Sequence, residues 1–140
     1  EIPKRDWSSD VCSSDLQDLT VVLPSGREMC WFAPSPDPED TTRTVAAPVK
    51  GGTKFGTWGG KLTENVVQAV ARDVFAYCLL QLHDKFRVVW HVHDEVILEV
   101  PEGEAEAALK ETLRIMSVAP EWMPGLPLSA EGSIENTYTK

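Results

Sequence analysis

Residues 61–101 read KLTENVVQAVARDVFAYCLLQLHDKFRVVWHVHDEVILEVP, and this stretch decides the fold. Apolar residues recur in its first part every four positions, at Leu62, Val66, Val70, Val74 and Cys78. Val67, Ala71 and Phe75 widen the stripe, and a stripe at this spacing is typical of one buried helix face. The sequence therefore predicts a long helix from about Lys61 to Lys85 with this stripe buried.

A tight hairpin is predicted directly after the helix. Arg87–Val92 and Glu95–Val100 are β-rich runs, and only His93 and Asp94 separate them. We expect the helix to bury its stripe against this hairpin, which would bring Gln68 out near the His93-Asp94 tip.

Shorter elements surround this pair. Leu19–Leu23 and Arg27–Phe32 are β-rich and flank a Pro-Ser-Gly turn, which predicts another hairpin. The density of proline and glycine in residues 33–60 excludes a long helix or central strand and predicts a long loop that is functional or partly mobile. Residues 104–116 predict a second helix, and residues 128–131 a short strand. The predicted class is α+β, with antiparallel hairpins packed on a long helix.

The second helix is predicted from apolar residues at helical spacing. These are Ala108, Leu109, Leu113 and Met116. Acidic residues at its beginning suit the helix dipole.

Composition narrows the class of protein. The chain has 140 residues, of which 42% are hydrophobic, and its formal net charge is −9. It lacks a long apolar run or a signal peptide, so we expect a soluble, cytoplasmic protein with no membrane contact. An acidic chain does not bind phosphate backbones through its overall charge, so any nucleic-acid role must be local or mediated by metal. Three cysteines in no paired spacing argue against disulfides.

The first residues look foreign to the fold. Residues 5–16 read RDWSSDVCSSDL, repeat Ser-Ser-Asp and have neither a helical nor a strand period. They resemble the translation of a sequencing adapter, which implies that residues 1–16 are non-native, that the domain is 17–140, and that the reading frame began upstream. The alternative is a natural linker rich in Ser and Asp. As an adapter, these residues should pack against nothing.

The hairpin tip concentrates groups that can carry chemistry. His91, His93, Asp94 and Glu95 combine two imidazoles with two carboxylates between apolar runs. Carboxylates at a rigid turn suit Mg²⁺, which takes one or two protein oxygens together with substrate phosphates. His91, His93 and Asp94 could alternatively bind zinc. A solvated turn without a function is the third interpretation.

Four ordered blocks resemble one family. They are VVLPSGREMCWFAP (21–34), GGKLTENVVQAVARD (59–73), VVWHVHDEVILEVP (88–101) and PEWMPGLPLSAEG (120–132). Together they resemble the C-terminal palm region of family A DNA polymerases, the DNA polymerase I-like group, and most of all its bacteriophage branch. The resemblance spans Leu19 to Lys140.

The resemblance implies a role for each matching residue. Asp94 matches the metal-binding aspartate of the third polymerase motif, and Glu95 matches its supporting carboxylate. His93 matches a histidine near the primer terminus, and Gln68 a glutamine that reaches the minor groove of primer–template DNA. Asp73 matches a structural aspartate. The implied cofactor is Mg²⁺, and the implied substrates are primer–template DNA and deoxynucleoside triphosphates.

The chain also departs from the family pattern. Where the phage branch often has a tyrosine before KLTEN, this chain has Trp58-Gly59-Gly60. The family's second metal-binding aspartate and its nucleotide-binding helix have no match here, so half of the two-metal site is missing and the fragment alone should be inactive. The alternatives are a non-catalytic nucleic-acid or protein-binding domain, and a small metallohydrolase that uses His91, His93 and Asp94.

Overall fold

The computed structural model describes residues 18–40, 43–48 and 50–138, so the prediction for residues 1–16 lies outside the described part. Contacts divide the chain into two units. The first unit contains the described residues up to Val22 together with Glu28–Glu64. The second unit contains Leu23–Arg27 and the residues from Asn65 to the end of the described part. Antiparallel strands form two sheets and are accompanied by helices, which confirms the predicted α+β class.

The first unit contains a four-stranded antiparallel sheet. Its strands, in spatial order, are β1 (Asp18–Val22), β2 (Glu28–Pro36), β3 (Thr44–Ala47) and β4 (Phe55–Thr57). β1 and β2 pair as the predicted hairpin, with Val22 opposite Glu28. The first hairpin prediction is therefore confirmed.

The prediction that residues 33–60 exclude a central strand is wrong. β2 continues through Pro34 to Pro36, and β3 lies between β2 and β4. The pairing of β2 with β3 shifts between Phe32 and Ser35, and Ala33 has a positive φ of 48°. Such a bulge interrupts the hydrogen-bond ladder, so Pro34 can lie within it although it has no N–H to donate.

The two helices and the second hairpin follow the predicted order. α1 spans Gly59–His83 and α2 spans Ala105–Met116, each within two residues of its predicted ends. Between them, β5 (Arg87–Val92) and β6 (Glu95–Glu99) form the predicted hairpin. Among the described residues, no helix combines the length and apolar character needed to cross a membrane.

The core of the second unit lies where α1, α2 and the hairpin meet. Cys78, Leu82 and Ile115 are buried at its centre. Half-buried side chains surround them, namely Tyr77, Phe86, Val88, Val96, Leu98 and Met116. The thiol of Cys78 donates to the Ile115 carbonyl at 3.9 Å, and burial raises the pKa of this thiol. Cys78 is therefore a packing residue that stays protonated.

The predicted stripe of α1 is only partly buried. Val74 and Cys78 are buried as predicted, whereas Val66 and Val70 are half-buried and Val67 is 58% exposed. Leu82, which the prediction omitted, is fully buried. Burial is concentrated in the second half of the helix because Cys78 and Leu82 there meet the core around Ile115.

Two details of the C-terminal part differ from prediction. Ala108 is buried as predicted, but Ile115 is buried more deeply than Leu109, Leu113 or Met116. Residues 128–131 do not form the predicted strand. A Cβ atom at Gly132 would lie only 2.9 Å from Leu109 Cδ1, so this segment runs against α2 instead of pairing in a sheet.

An ion-pair cluster on α2 predicts a specific acid sensitivity. Glu111 accepts hydrogen bonds from Arg114 and Lys85, and these bonds lower its pKa to about 2. A depressed pKa in the folded chain contributes stability above the ordinary value near 4.5, and this contribution is lost as pH falls toward 2. We expect Glu111→Gln to lower the melting temperature at neutral pH and to weaken its fall between about pH 4.5 and 2. A thermal melt series over pH measures this, with the exposed Glu106→Gln as the control; parallel curves for wild type and Glu111→Gln would contradict it.

Candidate active site at the second hairpin

A two-residue turn presents the carboxylates at the end of the second hairpin. Val92 pairs with Glu95, which leaves His93 and Asp94 alone in the turn. His93 has a φ of 50°, in the left-handed region that short hairpin turns require and that histidine adopts more readily than most residues. His93, Asp94 and Glu95 are all exposed. The turn therefore holds the Asp94 side chain out in solvent at the tip.

A β-bulge turns His91 toward α1. Val88 pairs with Leu98, and Trp90 pairs with Ile97, so Val89 is an extra residue in β5. Strict alternation would place His91 on the face opposite Val88, but the extra residue brings both onto the face that packs on the core. The His91 ring meets Phe75 edge to face, with centroids 6.1 Å apart. His91 is exposed at this face and contacts α1 through the Phe75 ring, while Glu95 lies on the opposite face.

The two carboxylates of the tip have different surroundings. Glu95 Oε2 accepts a hydrogen bond from the Tyr138 hydroxyl at 3.3 Å. Desolvation and, to a smaller extent, the negative charge of Glu95 raise the pKa of Tyr138. Glu95 is thus engaged by the C-terminal segment, whereas Asp94 is exposed at the turn itself.

Gln68 lies on the same face of α1 as the residues that contact the hairpin. Gln68, Arg72 and Phe75 are separated by four and three residues, which places them on one helix face. The Arg72 guanidinium lies 5.7 Å from the Phe75 ring, and Phe75 contacts His91 near the hairpin tip. Gln68 is exposed about two helical turns before Phe75. The side chain predicted to reach DNA therefore shares its helix face with the residue that contacts the hairpin.

Asp73 anchors the turn that precedes β2. Its carboxylate accepts a hydrogen bond from Arg27 Nε at 2.7 Å and one from the Ser25 hydroxyl at 2.5 Å. Arg27 also donates to the Ala69 carbonyl at 3.1 Å. These contacts lie within the second unit and tie Leu23–Arg27 to α1. They give Asp73 a structural part in this unit.

We expect Asp73→Ala to destabilise the chain by roughly 1–3 kcal/mol, because it removes a charge-assisted pair and a hydroxyl partner. The value should fall in the lower part of that range, since the Arg27 side chain is 48% exposed and water screens the pair. Urea unfolding measures the change, with the exposed Asp84→Ala as a matched control. Equal stability of both variants would show that the anchor contributes nothing.

The donor set of the tip suits part of a magnesium site. Asp94 and Glu95 are consecutive residues with exposed carboxylates, and Mg²⁺ is commonly held by one or two carboxylates with water and phosphate completing the shell. Within the described ranges, no three His, Cys, Asp or Glu side chains converge as metal ligands. The zinc alternative with His91, His93 and Asp94 therefore gains no support from the described residues.

Two features of this site escaped the sequence prediction. The bulge at Val89 leaves no local signature, because every residue around it is β-prone. The contact between Tyr138 and Glu95 joins residues 43 positions apart, and no spacing rule indicates it.

Comparison with curated proteins places the chain beside DNA polymerases. The chain is similar to the DNA polymerase of Bacillus phage SP02, to which it is 39% identical over 129 residues. The match covers 87% of this chain and 20% of the polymerase, so the chain spans about a fifth of the length of that relative. No protein family profile and no solved structure matches the chain.

Proposed function

We propose that the chain is the C-terminal palm portion of a family A, phage-type DNA polymerase that copies a DNA template. The full protein would transfer a nucleotide from a deoxynucleoside triphosphate to a primer 3′-hydroxyl. The observation that carries the proposal is an exposed aspartate at a two-residue hairpin turn, in a chain 39% identical to part of a phage DNA polymerase.

Each residue at the tip has a defined task in this proposal. Asp94 would hold a catalytic Mg²⁺ from the exposed turn, and Glu95, whose carboxylate accepts a hydrogen bond from Tyr138, would support it. Bound Mg²⁺ supplies positive charge that stabilises the attacking and leaving oxygens of phosphoryl transfer. His93 would lie beside the primer terminus.

The helix supplies the contact to DNA in this proposal. Gln68 would donate to minor-groove acceptors, which are nearly the same for every base pair, so the contact does not depend on sequence. Because Arg72 and Phe75 lie on the same face, the helix can present Gln68 and a positive charge toward the duplex.

Half of the proposed site belongs to the sequence upstream of this segment. The test is to recover the reading frame from the source DNA and measure primer extension by the full-length protein in Mg²⁺. The proposal requires an aspartate on an apolar strand upstream, followed by a helix containing Arg or Lys. A full-length protein that binds DNA but extends no primer with any divalent metal would instead support a non-catalytic binding domain.

A further inference from the structure

The segment Lys50–Lys61 is a local positive stretch in an acidic chain. It reads KGGTKFGTWGGK, with three lysines and no acidic residue, whereas the whole chain has a formal net charge of −9. It belongs to the first unit and includes β4, the strand at the edge of the four-stranded sheet. The segment therefore offers the local charge that the composition of the chain as a whole does not.

Two aromatic side chains are exposed between these lysines. Phe55 and Trp58 are each 57% exposed, and Lys61 Nζ lies 5.8 Å from the centre of the Trp58 ring. Phe55 begins β4 and Trp58 stands between β4 and α1, so their backbone positions are at most about 10 Å apart. Exposed aromatic rings alternating with cations are the pattern by which proteins bind single strands, through base stacking and phosphate contacts.

Protection of the sheet edge is the competing explanation. Lysine on an edge strand discourages pairing with other chains, and Lys54 stands directly before β4, where it donates to the Ser35 hydroxyl at 3.0 Å. This explains Lys54 but not Phe55 and Trp58, because exposed aromatic rings at an edge promote association. Two acidic side chains stand close to the segment: Asp37 Oδ2 lies 4.0 Å from where a Cβ of Gly56 would lie, and Glu64 follows Lys61 by three residues on α1.

We propose that Lys50–Lys61 binds a single strand of nucleic acid. Phe55 and Trp58 stack on bases, while Lys50, Lys54 and Lys61 contact phosphates. Stacking accepts every base and the phosphate contact carries no sequence information, so binding is independent of sequence. The inference does not depend on Asp94 or on metal, so it can fail while the polymerase proposal stands, and the reverse is also possible.

The test measures fluorescence anisotropy of labelled oligo(dT) and oligo(U) with the 140-residue chain at low salt and without divalent metal. The Phe55→Ala, Trp58→Ala double variant should bind at least about fivefold more weakly, while the Phe55→Trp, Trp58→Phe variant should bind like wild type, since stacking needs a ring and not a particular residue. Lys54→Gln with Lys61→Gln should lower the slope of log affinity against log salt by about 1.4, at about 0.7 for each phosphate contact on a single strand. The exposed Lys110→Gln on α2 is the matched charge control and should leave the slope unchanged.

Oligo(dT) and oligo(U) distinguish DNA from RNA as the ligand, because the oligonucleotide that binds with the higher affinity identifies the natural one. Equal binding by wild type and the double alanine variant, with both folded by circular dichroism, would overturn the proposal. Tighter binding of a labelled duplex than of either single strand would overturn it as well. If Lys54→Gln with Lys61→Gln aggregates more than wild type but binds the oligonucleotides with the same affinity, the lysines protect the sheet edge and the proposal is wrong.

Discussion

In the full-length polymerase that the proposal requires, Asp94→Ala should abolish primer extension while leaving the affinity for primer–template DNA nearly unchanged. A metal ligand stabilises charge that develops in the transition state, and this contribution amounts to several kcal/mol. At 1.36 kcal/mol for each tenfold change, the rate should fall about a thousandfold or more. Single-turnover extension in Mg²⁺ measures the rate, and anisotropy with labelled primer–template measures the affinity.

Two neighbouring substitutions serve as controls for this result. Glu95→Ala should be milder, because the role proposed for Glu95 is a supporting one and its carboxylate accepts a hydrogen bond from Tyr138. His91→Ala should act mainly on stability, since the His91 ring contacts Phe75. Wild-type extension by Asp94→Ala would refute the proposed role of the tip. A complete loss in His91→Ala that zinc reverses would support the metallohydrolase instead.

Leu82→Asp should unfold the second unit of the 140-residue chain. Leu82 is fully buried and packs with Cys78 and Ile115. An unpaired charge there costs several kcal/mol, a large share of the roughly 5–15 kcal/mol that stabilises a domain. Circular dichroism and thermal melting should show loss of helix and of the cooperative transition.

The same helix offers a matched control two residues earlier. Leu80 is 68% exposed, so Leu80→Asp changes the same residue type and charge without burying the carboxylate. It should change the free energy of unfolding by no more than about 0.5 kcal/mol. Val70→Asp should fall between the two variants because Val70 is half-buried. A cooperative melt of Leu82→Asp at the wild-type temperature would contradict the position of the core.

The elements that sequence predicts well are those whose patterns repeat over several turns or pairs. α1 was predictable because its apolar stripe continues for five turns, and the β5–β6 hairpin because two β-prone runs leave only His93 and Asp94 between them. Burial along α1 was predicted less well. A stripe identifies the face of a helix, but it does not indicate where along its length the partners lie, and here Leu82 and Ile115 place them at the far end.

Strands β3 and β4 were missed because local composition opposes them. Prolines and glycines lower strand propensity, yet Thr44–Ala47 gains a partner on each side, and these long-range pairs outweigh the local preference. Residues 128–131 show the reverse case. Their local propensity suggested a strand, but that stretch found no strand to pair with and runs as irregular chain instead.

The candidate site was predictable in its residue types but not in its orientation. The sequence predicts that His93 and Asp94 form the tip, since two residues are the shortest hairpin connection. It does not predict which face His91 occupies, because that depends on the bulge. The contact of Glu95 with Tyr138 depends on the path of the C-terminal segment, which local sequence does not encode.

The extra residue in β5 makes the hairpin sensitive to length rather than to identity. Many side chains can stand at Val89, which is 44% exposed. Losing one residue there would shift the register, so that His91 and everything up to the turn would change faces. In homologous genes, the distance between Val88 and Asp94 should therefore vary less than the residues that fill it. At Val89 we therefore expect substitutions to be common among homologues and insertions or deletions to be rare.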